Sequence, residues 1–302
     1  MSEQVIKNEE DFNENKGLQF IKKFLLDNMD LSGLYCFGIH YKQKMYSNAL
    51  SGEVLTKQDT HYYLLVYSMD NKANAVADLS DIIRKKSKGQ YTVTLFIHLA
   101  TTVRQLTPEK SYFFYHAMTK GIILYEHERV PPCISFKEEP QRNVAYIKAY
   151  WRNRNRVSEV FLESQGMVDG MDTEPIQEAM MQVAMENIAL ALIDTFLGYR
   201  PVHFHLGYLF DICNLFCSLA RDIFPRNTEE EIKLFELLSK HISKLRSANL
   251  GAIDFLHTEL LQGRCRLFQE KATVLIEEEI ERLEKLNKVN KQQLKNESNG
   301  NK

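Results

Sequence analysis

The chain has 302 residues, 44% of them hydrophobic and 26% charged, the profile of an ordinary soluble globular chain that fits one large domain or two of normal size. Its formal net charge of −2 excludes a general attraction to nucleic acid or anionic membrane, so any polyanion must be recognised by a local patch.

The opening MSEQVIKNEEDFNENKG is polar and acidic and holds no apolar core of signal-peptide length. No later stretch reads as long and uncharged enough to span a bilayer, which predicts a cytoplasmic protein without membrane partners. Five cysteines, at 36, 133, 213, 217 and 265, are an odd and scattered set that fits reduced thiols. Cys213 and Cys217 stand one helical turn apart with no second pair at zinc spacing, so they read as helix packing, and the residues call for no metal and no cofactor.

Leu18, Ile21, Phe24 and Leu25 mark a first helix, and Gly33 to His40 reads as a strand broken by the polar stretch after it. Tyr62 to Tyr67 is a second strand, rich in aromatic and aliphatic strand formers. Ala73, Val76, Leu79 and Ile83 share one helical face that ends in the basic run Arg84 to Lys88. Tyr91 to His98 is a third strand, followed by a helix around 109–119 and a short strand from Ile122 to Tyr125. Strands alternating with helices predict a small sheet layered with helices.

Val130 to Pro140 holds three of the chain's seven prolines and reads as a linker, because proline removes backbone donors and restricts the residue before it. Beyond it the periodicity is helical throughout. Helices are expected over about 141–166, with Tyr146, Ala149, Tyr150 and Val157 at apolar positions, and over 174–197, where Met180, Ala184, Ile188, Ala191 and Leu192 recur at helical steps. A continuous helix is expected from Leu206 to Ala220, then one opened by a capping box at Thr228 and Glu231, then two stretches over about 251–262 and 266–288. The polar, lysine- and asparagine-rich end predicts a disordered tail. The expected organisation is a polar N-terminal tail over 1–14, a sheet domain over 15–128, a linker over 129–140, a helical bundle over 141–288 and a tail over 289–302.

The order of strands and helices ahead of a helical bundle resembles nucleotidyltransferase-like domains, which are often fused to HEPN domains. In active members of that superfamily a Gly-Ser turn cradles phosphates, and an Asp-x-Asp with a third carboxylate holds two magnesium ions. His61 and Tyr63 stand where the Asp-x-Asp would be, Tyr91 to His98 has no acidic residue, and Phe37 to Tyr41 lacks the Gly-Ser turn. The resemblance therefore implies a degenerate domain without transferase activity. Asp59 and Asp70 lie nearby at strand ends, where solvated turn residues are ordinary.

The helical half resembles a HEPN domain: a long helix with Glu186, a Gly-Tyr turn, then Arg200 and His205 separated by four residues, then a leucine-rich helix. The fold class so implied is α+β, a mixed nucleotidyltransferase-like sheet domain followed by an all-α HEPN bundle. In ribonuclease members the resemblance implies metal-independent cleavage of RNA, with His205 taking the proton of the 2′-hydroxyl and Arg200 stabilising charge on the phosphate. Glu186, His203 and Tyr199 would support the site, and the family's habit of building it across two bundles implies a homodimer that binds RNA or a nucleotide.

The same residues fit a purely architectural turn, with Gly198 as C-terminal cap, Pro201 in the turn, His205 capping the next helix and Arg200 pairing with Glu186. That alternative describes a catalytically inactive regulatory or scaffold module. Pro201 directly after the arginine, where RNA-cutting members more often carry a small polar residue, favours it. Trp151 to Arg156 places three arginines beside aromatics, read as a solvated helix face.

Overall fold

The computed structural model describes residues 15–47, 54–70, 75–103, 106, 108–128, 136, 138–168, 173–244 and 255–300. The chain is an α+β protein that divides into a sheet unit, residues 1–141, and a helical unit, residues 142–302. The tail expected over 1–14 lies outside the described residues, as does most of the expected linker, including Pro131, Pro132 and Cys133.

In the sheet unit Asn15 caps α1 (Lys16–Asn28), its Oδ1 accepting from the Leu18 N–H at 3.1 Å and from the Tyr62 hydroxyl at 2.9 Å. The cap thus starts the helix and ties it to the sheet. Then come β1 (Leu31–Ser47), β2 (Val54–Ser68), α2 (Ala75–Lys86), β3 (Tyr91–Leu99), α3 (Ala100–Val103), α4 (Pro108–Thr119) and β4 (Ile122–Glu126). The strands form one mixed sheet in the order β3-β2-β1-β4, with β2 and β3 parallel and the other pairs antiparallel. The parallel pair follows from the α2 crossover, since a tight hairpin can only join antiparallel strands.

In central strand β2 the segment Tyr62 to Tyr67 is buried without alternation because both its faces are covered. Tyr62 faces α1, where an added Cβ on Gly17 would come within 2.1 Å of the Tyr62 hydroxyl oxygen. On the other face Phe113 of α4 meets Phe37 at 5.2 Å and Phe96 at 5.3 Å. Strand β1 does not end at His40 as its composition predicts. It continues to Ser47 in register with β2, where antiparallel pairing satisfies the backbone and needs no apolar side chains.

The helical unit contains α5 (Val144–Gln165), α6 (Glu174–Leu197), α7 (Leu206–Cys213), α8 (Leu219–Ile223), α9 (Glu229–Lys244) and α10 (Phe255–Gly300). Helix α6 is the hub. Ile188 to Thr195 are all buried without a polar face, and α5, α7, α9 and α10 each pack against it. By length and composition alone α6 would cross a membrane, a property that its apolar residues were not expected to reach, yet 72% of its most apolar window is buried within the protein.

Two boundaries differ from expectation. The apolar stripe read as one helix over 206–220 divides into α7 and α8, because the intervening residues turn Phe216 back onto Phe196, ring centroids 4.7 Å apart and nearly parallel. The two stretches expected at 251–262 and 266–288 are one helix, which also extends to Gly300 through the residues expected as a tail. The buried row Leu261, Cys265, Phe268, Ala272, Ile276 and Leu283 crosses Gly263 without interruption, and lysine, glutamine and leucine after it are good helix formers. The capping box at α9 forms: Glu231 N–H donates to Thr228 Oγ1 at 3.2 Å, and Glu231 Oε2 accepts from the Asn227 and Thr228 N–H groups.

An added Cβ at Gly263 meets nothing within 4 Å, so this helical glycine serves no close approach. Gly263→Ala is expected to stabilise the helical unit by roughly 0.5–1 kcal/mol, the helix-propensity difference, measured by urea unfolding. A destabilised variant would show that the helix is interrupted there.

Candidate functional site

The turn from α6 into α7 is set by its own residues. Gly198 takes the left-handed conformation at φ 62°, where a side chain is strained, and its N–H donates to Asp194 O at 2.9 Å. Pro201 and Tyr199 are buried. His205 is the N-cap of α7, its carbonyl accepting from Leu209 N–H at 3.1 Å. Its imidazole makes no capping hydrogen bond; it is exposed and lies against Gly207, where an added Cβ would come within 3.2 Å of Cε1.

Arg200 returns from this turn to the end of α6. Its Nε donates to Asp194 Oδ1 at 3.1 Å, and its guanidinium carbon lies 4.6 Å from the ring centre of Tyr146 and 4.2 Å from that of Tyr150. Those tyrosines are four residues apart on α5 and so share a helix face. Arg154, one turn further along, lies over the same Tyr150 ring at 4.9 Å and donates from Nη1 to Asn187 Oδ1 at 2.9 Å. Arg142 completes the cluster, donating from Nη2 to the carbonyls of Asp194 at 2.6 Å and Thr195 at 3.1 Å in the last turn of α6.

Asp194 is the charge at the centre. Burial raises its carboxyl above the ordinary range, and Arg200, Arg142 and Arg154 oppose that rise. A carboxylate in the last turn of a helix also faces the negative end of the helix dipole, so the surrounding guanidinium groups answer both costs. Nη2 of Arg200 is buried with no hydrogen-bond partner.

The pairing differs from the expected Arg200 and Glu186. Glu186 is half-buried, accepts from Gln182 Nε2 at 2.9 Å, and has its carboxyl raised by burial. His203 is the imidazole whose pKa burial lowers; its Nε2 is buried without a hydrogen-bond partner and its ring meets Tyr208 edge-on at 6.1 Å. Tyr199 hydrogen-bonds Tyr208, and burial raises both phenols. Of the expected set, Arg200 is thus built into the α5–α6 face, Tyr199 and His203 support the turn from inside, and His205 faces outward. Asp194, Arg142, Arg154 and the two tyrosines were missed. An aspartate in the final turn, directly after the apolar run Ile188 to Ile193, was the available signal, since it demands a nearby cation.

In the sheet unit His61 bridges Thr92 Oγ1 and Thr94 Oγ1, each 2.8 Å from a ring nitrogen. Ser68 Oγ donates to the Asp70 carbonyl at 2.8 Å, which places Asp70 in a turn. Among the described residues no group of three His, Cys, Asp or Glu side chains is gathered closely enough to hold a metal ion. Compared with family models and with curated proteins, the chain matches none.

The raised carboxyl of Asp194 gives a signed pH prediction. A group whose pKa is higher folded than unfolded favours folding most at low pH, and that contribution declines as pH rises through its folded value. Without Arg200 the decline steepens. Arg200→Ala is expected to cost about 2 kcal/mol at neutral pH, between exposed and fully buried pairs, and clearly less near pH ~4. Urea unfolding at both pH values reads it; an equal loss at each would contradict the pairing.

Proposed function

We propose that the chain joins a degenerate nucleotidyltransferase-like domain to a HEPN-like module that binds RNA or a nucleotide, and that Arg200 and His205 cut RNA there without a metal. One observation carries this reading. Arg200 is fixed before any ligand arrives, its Nε on Asp194 and its guanidinium against two tyrosines, and with the side chain about a third exposed and Nη2 buried, Nη1 is the group left to address a phosphate. His205, exposed at the first turn of α7, is the base of this reading. It takes the 2′-hydroxyl proton; the 2′-oxygen attacks phosphorus; the 5′-oxygen leaves and is protonated, giving a cyclic phosphate and a 5′-hydroxyl. The reading includes a homodimer through the helical bundle.

A second reading, a catalytically inactive regulatory or scaffold module, is favoured by Asp194. Its carboxylate already compensates Arg200, and the Nη2 of that arginine is buried. In this reading the turn serves architecture alone.

The two separate in one assay. Purified protein is incubated with mixed RNA and EDTA beside an Arg200→Ala/His205→Ala variant. The first reading expects cleavage that survives chelation and falls at least about 100-fold in the variant, the scale of a lost general base. No cleavage, or equal cleavage by both proteins, supports the inactive module.

A further inference from the structure

Phe204 stands between His203 and His205 and is 54% exposed, and Val202 two residues before it is 53% exposed. Their exposure is not slack in the chain. Gly198 is hydrogen-bonded to the end of α6, Tyr199 is 2% exposed, Pro201 is buried, and Leu206 is fully buried at the start of α7. A turn anchored on both sides therefore holds a phenylalanine ring out in water, where it forgoes the gain of burial.

Its place in the turn, between Arg200 and α7, distinguishes it from a stray surface aromatic. Arg200, four residues earlier, has its guanidinium oriented by Asp194, Tyr146 and Tyr150, and the exposed His205 adjoins it at the first turn of α7. A nucleotide offers the complementary pair of chemistries, an anionic phosphate and a flat ring with two apolar faces. Only a base released from pairing presents a free face for stacking, whereas a duplex hides its base faces.

We infer that Phe204 is a base-stacking residue, so that the RNA bound at this turn is single-stranded and holds one unpaired base against the Phe204 ring. The inference rests on the RNA-binding reading above. Stacking is indifferent to the hydrogen-bonding edge of the base, so the turn discriminates by strandedness more than by sequence. Val202 has no ring and adds no platform.

The test uses the full chain and a mixed-sequence oligoribonucleotide carrying one 2-aminopurine, single-stranded or annealed to its complement, in EDTA with His205→Ala in every protein to prevent cleavage. Expected are tighter binding of the single strand and quenching of 2-aminopurine. Phe204→Ala should bind the single strand about tenfold more weakly and lose the quench, while Phe204→Trp restores both and Val202→Ala changes neither. Binding and quenching by Phe204→Ala equal to the parent would overturn the inference and leave the RNA-binding reading standing. If the parent binds neither oligonucleotide, the RNA-binding reading fails and this inference with it. A Phe204→Ala protein that binds RNA unchanged but sediments differently would assign the ring to a protein contact and also overturn the proposal.

Discussion

The helical unit depends on the burial of α6. The second half of that helix, Ile188 to Thr195, is buried on every side and has no face to give to water, so its neighbours must enclose it, and α5, α7, α9 and α10 pack against the helix. That enclosure fixes where the helix may end. Its last carbonyls emerge among packed side chains, where unpaired backbone oxygens are costly: Gly198 N–H and Arg142 both donate to that of Asp194, and Arg142 donates to that of Thr195. Asp194 is retained in the same last turn because three arginines surround it. The chemistry of the turn is therefore a by-product of closing an apolar helix end inside a bundle, and it leaves an arginine committed to a fixed direction.

The sheet unit solves the same problem differently. Its two inner strands are covered by helices on both faces, which lets β2 be apolar along its centre and leaves little room for charge. Histidine and threonine at 61, 92 and 94 satisfy one another across strands. Such a closed set of hydrogen bonds is an arrangement for a stable sheet surface, and it differs from the uncompensated carboxylates that divalent ions require.

Local signals were legible where the backbone itself demands a residue type. The ends of α6 follow from Pro175 in its first turn and Gly198 past its last, and the start of α9 from Thr228 and Glu231. Boundaries decided by distant packing were not. The break between α7 and α8 depends on Phe196, on another helix, and the continuity of α10 through Gly263 depends on the row it buries. Arg200 was legible as a candidate, while its partner was mistaken. Glu186 and Asp194 are eight residues apart, about 12 Å along a helix axis, and a side chain returning from the C-terminal turn meets the nearer one. The tyrosines were read as apolar packing, whereas Tyr146 is exposed and Tyr150 half-buried, and the inward face of α5 is made by Val144, Ile147, Trp151 and Leu162; both rings serve instead to carry guanidinium groups.

Tyr150 carries two of those planes, since Arg154 and Arg200 both rest on its ring. The two arginines come from different parts of the chain, one from the middle of α5 and the other from the turn after α6. A single aromatic ring thus makes their energies interdependent, and changes at 154 and 200 will not simply add. Sequence drift along α5 is consequently felt at the turn after α6, through a ring that lies outside that turn.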